Sequence, residues 1–246
     1  MNLIYNIAMK KMILSSALWA VSSILTFTLF LAMLFFTIVL YPFDKQRRVP
    51  HAQCFWWSDM IIALNPYWKV KIEGLENIDH KKTYVIIANH QSLADIAVMY
   101  QTKMQFKWVA KASLFAIPVL GWSMSLGKHI KLERGSFSSI KHIYKEAAAW
   151  LRGGMSVLFF PEGTRSETGD LKDFQNGAFK LAIREKVQVL PIAIRGTAGA
   201  ISKGNWLFTS KVPVSLKVLP SIDASEFHIS DFAALRNRAR EAIEKA

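Results

Sequence analysis

From Met12 to Phe43 the chain runs for 32 residues without one charged side chain. A helix needs about 20 predominantly apolar residues to cross the hydrocarbon core of a bilayer, so this run reads as a membrane segment. A secretory signal would have an apolar core of about 7 to 15 residues and then a small-residue cleavage site. This run is longer and bulkier, and is expected to persist in the mature protein. Lys10 and Lys11 precede it while Lys45, Arg47 and Arg48 follow it, so the distribution of positive charge sets no orientation. Two readings fit: a single span, and a helix that dips into one leaflet with both ends on the cytoplasmic side.

The next stretch, His51 to Asn65, sets His51, Ser58 and Asn65 seven residues apart among apolar neighbours. As a helix it would have one narrow wet stripe, with Trp56 and Trp57 suited to the headgroup level. The alternative is a helix buried in the domain, and Asn65 and Pro66 end it on either reading. Residues 1–66 are therefore expected to form a membrane-embedded helical region.

All twelve glycines lie at or after Gly74, where the chain changes character. With 52% hydrophobic residues in 246, disorder is excluded, and the lone Cys54 excludes a disulfide framework. The formal charge is +13; setting aside the two tail lysines from 31 basic residues leaves 29 against 18 acids, so residues 44–246 carry +11. Such an excess calls for an anionic partner: nucleic acid, an anionic bilayer or a phosphorylated substrate. No nucleic-acid motif accompanies the charge, and a 32-residue uncharged segment argues against one.

Beyond Trp68, short β-rich runs alternate with helical ones. Strands are expected at Lys69–Glu73, Tyr84–Ala88, Phe106–Ala110, Ser156–Phe160, Val189–Arg195 and Val214–Leu219, and helices at Leu93–Gln101, Ser139–Arg152, Gly177–Glu185 and Ser230–Lys245, the last capped by Ser230. The alternation predicts an α/β domain over residues 67–246, a mostly parallel mixed sheet flanked by helices.

Two segments carry chemistry. In YVIIANHQSLAD (Tyr84 to Asp95) an apolar strand stops at Asn89 and His90 and a helix begins. Ligands bind at the carboxyl ends of such strands, and the H-x-x-x-x-D spacing lets Asp95, one turn into the helix, reach back to His90. Within one helix the two would face about 140° apart, so the pair works only across a turn. A carboxylate on one imidazole nitrogen fixes the tautomer and raises the basicity of the other, making His90 a general base. In FFPEGTRS (Phe159 to Ser166) a second strand runs into a polar turn in which Gly163 permits close backbone approach, Thr164 offers a donor and Arg165 a planar charged fork. This is a phosphate cradle by its chemistry; an ordinary β-turn with a solvated arginine has the same letters.

NHxxxxD at Asn89–Asp95 together with FPEGTRS at Phe160–Ser166 resembles the glycerolipid acyltransferases, most closely the 1-acylglycerol-3-phosphate acyltransferases of bacteria. IKLERG (Ile130–Gly135) is similar to the family's second block, with Glu133 in place of the usual aspartate before Arg134. Leu190 to Ile192 resembles its short proline block. KASLFAIPVLG (Lys111–Gly121) resembles its lysine-to-glycine stretch, with Ser113 where a glutamate is common. The resemblance implies acyl transfer from a thioester of coenzyme A or acyl carrier protein to a lysophosphatidate hydroxyl, at the cytoplasmic face of the inner membrane. It implies His90 as base, Asp95 as its orienter, and Lys111, Arg134, Glu162, Gly163, Thr164 and Arg165 around the acceptor phosphate, with Lys111 serving either phosphate or oxyanion. No cofactor or metal is expected: no H-E-x-x-H, paired cysteine or EF-hand spacing occurs. Ser92 as a nucleophile is set aside because no G-x-S-x-G turn surrounds it. A related acyltransferase acting on glycerol-3-phosphate or another lysophospholipid, and a non-enzymatic membrane lipid-binding scaffold, remain the alternatives.

Overall fold

The run YVIIA offers no face to water, and Tyr84–Ala88 is buried at all its positions as a central strand of the sheet. The computed structural model of the chain describes residues 2–133, 137–166, 170–200, 206–208 and 211–246. Two helices come first, α1 (Asn2–Val39) and α2 (Arg48–Leu64). There follow β1 (Trp68–Glu73), β2 (Tyr84–Ala88), α3 (Ala94–Tyr100), β3 (Phe106–Lys111), α4 (Leu120–Leu126), β4 (Ile130–Leu132), α5 (Phe137–Arg152), β5 (Ser156–Phe159), α6 (Gly177–Glu185), β6 (Gln188–Arg195), α7 (Thr197–Ala200), β7 (Val212–Val218) and α8 (Phe232–Lys245).

The seven strands form one sheet in the order β1-β7-β6-β2-β5-β3-β4, parallel at every pairing except β6 with β7. The expected α/β architecture is thus present. Alternate residues of β2 feed opposite cores: Tyr84, Ile86 and Ala88 pack with α3, while Val85 and Ile87 pack with α5, α6 and α8. Three elements were not expected from the sequence: β4, α4 and the single-turn α7. The three residues of β4 are too few for a period to register, and α4 lies in an apolar run without alternation. Helix α8 begins after Asp231, and Ser230 belongs instead to a 3-10 turn at Ile229–Asp231.

Helix α2 is the inverse of its expected orientation. The polar stripe faces inward: His51 and Ser58 are 0% exposed and Asn65 7%, whereas Trp56, Met60 and Leu64 lie outside. The buried partners explain the inversion. Ser58 donates to the Ala97 carbonyl at 2.5 Å and accepts from the Gln101 amide at 2.7 Å, Asn65 accepts the Tyr67 N–H at 3.0 Å, and His51 packs edge-on against the rings of Phe55, Tyr100 and Phe106.

Helix α1 lies along the domain. More than a third of the way along, the Ser15 hydroxyl accepts from the Phe208 N–H and the Trp19 indole donates to the Trp206 carbonyl. In the middle, Trp57 donates to Thr26 at 3.0 Å, and at the end the Arg47 guanidinium donates to the Thr37 carbonyl. Ser15 to Thr37 covers about 33 Å of helix at 1.5 Å per residue, and it is attached throughout. From Ser15 to Thr37 it is held by residues 206–208, by α2 and by the turn that joins the two helices. The 31-residue stretch Met9–Val39 is long and apolar enough to cross a membrane and is largely unburied.

The turn between α1 and α2 is fastened to the sheet by a buried lysine. Lys107 of β3, 0% exposed, donates to the Gln46 and Gly127 carbonyls at 2.7 Å each and stands over the Trp150 ring. Burial pushes this ammonium down to about 7.

Candidate active site

Adjacent strands β2 and β5 send their chains to opposite faces of the sheet, β2 into α3 and β5 into α6. Where connections diverge in this way a crevice opens beyond the carboxyl ends of the strands. His90 and Leu93 from one segment and Phe160, Pro161, Gly163, Thr164 and Arg165 from the other line it, and the carboxyl ends of β3 and β4 continue the same row through Lys111 and Leu132.

Asn89 ends β2 by extending the pairing with its side chain. Its amide donates to the Ile194 carbonyl at 2.8 Å and accepts the Ile194 N–H at 2.7 Å, so the chain leaves the sheet at a fixed point. His90 follows in the turn, and Asp95 reaches back from the first turn of α3, as the spacing required. His90 Nδ1 lies 2.6 Å from Asp95 Oδ2, which also accepts the N–H groups of Gln91 at 2.7 Å and Ser92 at 3.0 Å. An oxygen that already accepts two N–H groups accepts the third, so Nδ1 carries a proton, and in the neutral ring Nε2 is the nitrogen with the lone pair. Asp95 is 0% exposed and its second oxygen has no hydrogen-bond partner among the described residues, so its charge is directed at His90.

The second motif holds this ring in place. Phe160 stacks on the imidazole with centroids 4.0 Å apart and planes 11° apart. Glu162 Oε1 accepts the His90 N–H at 2.7 Å, and the His90 carbonyl accepts the Ser166 N–H at 2.8 Å. Glu162 Oε2 accepts the Lys172 N–H at 3.0 Å. Burial raises the Glu162 carboxyl above its ordinary value, and the two backbone bonds draw it back. Glu162 was expected beside the acceptor phosphate; its place is inside the loop, tying the two halves of the crevice together. Gly163 has φ +72, a conformation L side chains rarely adopt, so the turn requires glycine there.

A cavity of about 970 Å³ opens at this crevice, with Lys111, Gly163, Thr164 and Arg165 beside His90. Arg134 lies outside the described residues. Lys172 also lines the cavity, and no spacing rule pointed to it. Its ammonium donates to Thr164 Oγ1 at 3.3 Å and to the Arg165 carbonyl at 3.0 Å, which sets a second cation beside Arg165. The only sequence signal was a basic residue in the polar loop after the motif. Leu190 to Ile192 lies within β6, fully buried, and contributes to the core.

From His90 the cavity wall is a file of aromatic rings. Phe160 meets Trp108 at 5.5 Å, Trp108 meets Tyr100 at 5.8 Å, and Tyr100 meets Trp57 of α2 at 6.4 Å. Leu29, Phe30 and Met33 of α1 close the apolar end. The site therefore joins a bare imidazole nitrogen, a cationic rim and a greasy channel that reaches the hydrophobic helices.

The acyltransferase family model matches residues 69–195. A chloroplastic 1-acyl-sn-glycerol-3-phosphate acyltransferase of Arabidopsis thaliana is 36% identical over 73% of this chain and 50% of its own length. The 1-acyl-sn-glycerol-3-phosphate acyltransferase of Pseudomonas aeruginosa is 30% identical over 86% of this chain and 81% of its own length. The chain thus spans about half the length of the plant relative and most of the bacterial one. The crystal structure of the 1-acyl-sn-glycerophosphate (LPA) acyltransferase PlsC from Thermotoga maritima superposes with a TM-score of 0.70 at 27% identity, covering 91% of this chain and 95% of that one. Motif residues gathered at one crevice and likeness over most of the chain lead to one conclusion: this chain belongs to the acyltransferase family.

Proposed function

We propose that this chain transfers an acyl group from an acyl thioester, carried by coenzyme A or acyl carrier protein, to the free hydroxyl of lysophosphatidic acid, giving phosphatidic acid. His90 Nε2 takes the hydroxyl proton as the oxygen attacks the thioester carbonyl. Asp95, 2.6 Å from Nδ1, steadies the imidazolium that results. The tetrahedral oxyanion then collapses, the carbon–sulfur bond breaks, and the imidazolium returns its proton to the departing thiolate. Arg165, Lys172 and Thr164 hold the acceptor phosphate together with Arg134, and Lys111 stands ready at the rim for phosphate or oxyanion.

The observation that carries this reading is the His90–Asp95 pair opening on a cavity that is cationic at one end and apolar at the other. A binding scaffold has no use for an oriented base. An acceptor with a chain can occupy the apolar length, which favours lysophosphatidic acid over glycerol-3-phosphate. On this reading the chain sits at the cytoplasmic membrane with its catalytic domain on the cytoplasmic face, in reach of thioesters. The test is purified protein offered lysophosphatidic acid, lysophosphatidylcholine and glycerol-3-phosphate in competition, with a labelled acyl donor. Label is expected in phosphatidic acid; label chiefly in either of the other products overturns the assignment.

A further inference from the structure

Between Lys111 and Gly127 the catalytic domain contains a second uncharged run, ASLFAIPVLGWSMSL, from Ala112 to Leu126. It folds into a 3-10 helix at Ala112–Ala116 and then α4, and of these fifteen residues Gly121 alone is buried. A water-soluble surface does not carry such a segment, because the apolar area it exposes gains nothing from folding. Ile117 is 44% exposed and Trp122 52%.

The segment is not isolated. Trp122 packs on Phe30 of α1 with centroids 5.8 Å apart, so its exposed apolar side is continuous with the exposed apolar side of α1. Exposed Lys111 and Lys128 bracket it, and from Ile96 to Leu132 the chain has no acidic residue. Its inward side chains Leu114, Leu120 and Met124 line the catalytic cavity. An apolar shelf with a lysine at each end and no acidic residue within it matches the chemistry of an anionic bilayer interface, acyl chains below and phosphates above.

We propose that residues 112–126 form a second membrane-inserting element, an apolar shelf that enters the same leaflet as α1, so that the cavity opens between α1 and α4 directly into the lipid. A lysophospholipid would then slide in sideways, its chain never leaving the apolar phase and its phosphate held at the level of Lys111. The substrate part of this inference rests on the function proposed above; the membrane contact does not.

The experiment uses the full chain in vesicles of phosphatidylglycerol and phosphatidylcholine. An environment-sensitive fluorophore is placed at Trp122→Cys, with a control at Arg238→Cys on α8 of the opposite layer, both in a Cys54→Ser background. The label at 122 is expected to be quenched by spin-labelled lipid and shielded from iodide, and the label at 238 the reverse. Iodide access at 122 without lipid quenching overturns the proposal. Should the labelled variant not fold, brominated-lipid quenching of wild type against Trp122→Phe gives the same answer: the variant must lose part of the quenched intensity, and an unchanged quench overturns the proposal. The activity arm compares Ile117→Glu/Trp122→Glu with wild type. At least a fivefold loss is expected on long-chain lysophosphatidic acid in vesicles, against less than twofold on a short-chain acceptor dissolved in water. Equal loss on both overturns the entry route. A wild type that acylates neither acceptor refutes the proposed function and leaves the quenching result standing.

Discussion

Replacing Asp95 by asparagine tests the mechanism at its centre with little change of shape. The asparagine oxygen can still accept from Gln91 and Ser92 N–H and from His90 Nδ1–H, so fold and tautomer persist. The charge is lost, and an amide NH2 replaces the buried second oxygen, which has no hydrogen-bond partner among the described residues. At an effective dielectric of about 20, unit charges about 4 Å apart attract by about 4 kcal/mol. The His90 side chain is 18% exposed and Asp95 0%, so water screens part of this and about 3 kcal/mol is a fair working value for the imidazolium at the transition state. That predicts a loss of about 10²-fold in kcat. The assay is turnover at saturating donor and acceptor, with thermal unfolding as the check on folding. His90→Ala should lose about 10²- to 10⁴-fold. Adding Asp95→Asn to it should cost less than about threefold more, since the interaction is already gone. A single Asp95→Asn variant within threefold of wild type, or a double variant whose losses multiply, refutes the pairing.

Arg165→Ala should raise the KM for the acceptor about 10- to 100-fold with little change in that for the donor, and Arg165→Lys should recover part of this by keeping charge without the fork; a donor curve that shifts alone reassigns the cradle to the donor. Lys172→Gln should raise the acceptor KM by about 3- to 10-fold, less than Arg165 because the ammonium is exposed, and the effect should vanish on an acceptor without phosphate. Burial, then the Lys107 charge, holds fully buried His51 down to about 3, and burial also holds His129 well below its ordinary value, so both are neutral when folded. As pH falls from about 6.5 the unfolded chain takes up protons that the folded chain does not, and stability should drop by about 1.4 kcal/mol per pH unit for each ring; a thermal midpoint flat between pH 6.5 and 4.5 contradicts this. Removing residues 1–65 uncovers the apolar face under Trp57, Ile61 and Ile62, so the truncated chain should aggregate, and a monodisperse soluble domain would refute the packing. A reporter before Met1 should lie on the same side of the membrane as the carboxyl terminus, and opposite sides would show a true span.

The sheet and the central pair were legible because their signals are local. Strand β2 announces itself by five apolar residues, and His90 and Asp95 meet within a single strand-to-helix turn, where spacing alone decides reach. What sequence could not show depends on residues far apart along the chain. Glu162 acquires its place from His90, 72 residues away, and nothing in FPEGTRS says whether its carboxylate faces a ligand or a backbone amide. The stripe His51, Ser58 and Asn65 has the right period for a helix, but a period does not say which face is inside. In a chain with two apolar environments, lipid and core, the polar side of a helix can be the buried one. Ser58 is such a case, since the free Ala97 carbonyl and the Gln101 amide need it more than water does. Lys172 went unnoticed for a similar reason: its meeting with Thr164 and Arg165 depends on the course of a loop, not on a repeat.

The way the two amino-terminal helices are attached bears on catalysis. A flexible tether would let the domain tumble above the membrane, and the height of His90 over the lipid would vary. Here Lys107 donates to the carbonyls of Gln46 and Gly127, Gln46 donates to Gly153, Arg48 to Gly154, and Gln105 to Arg48. Each such bond contributes about 1 kcal/mol net, so the turn between the helices is held at several points of the catalytic domain and moves with it. The Asp44 carboxylate meanwhile accepts the Arg48 and Val49 N–H groups and so fixes the direction in which α2 starts. Since Leu29, Phe30, Met33 and Trp57 also wall the cavity, the helices proposed to meet the lipid are the same ones that shape the channel leading to His90. Membrane attachment and substrate binding then share one set of contacts, and a substitution that loosens the turn, such as Lys107→Met, would displace the channel wall without touching a motif residue.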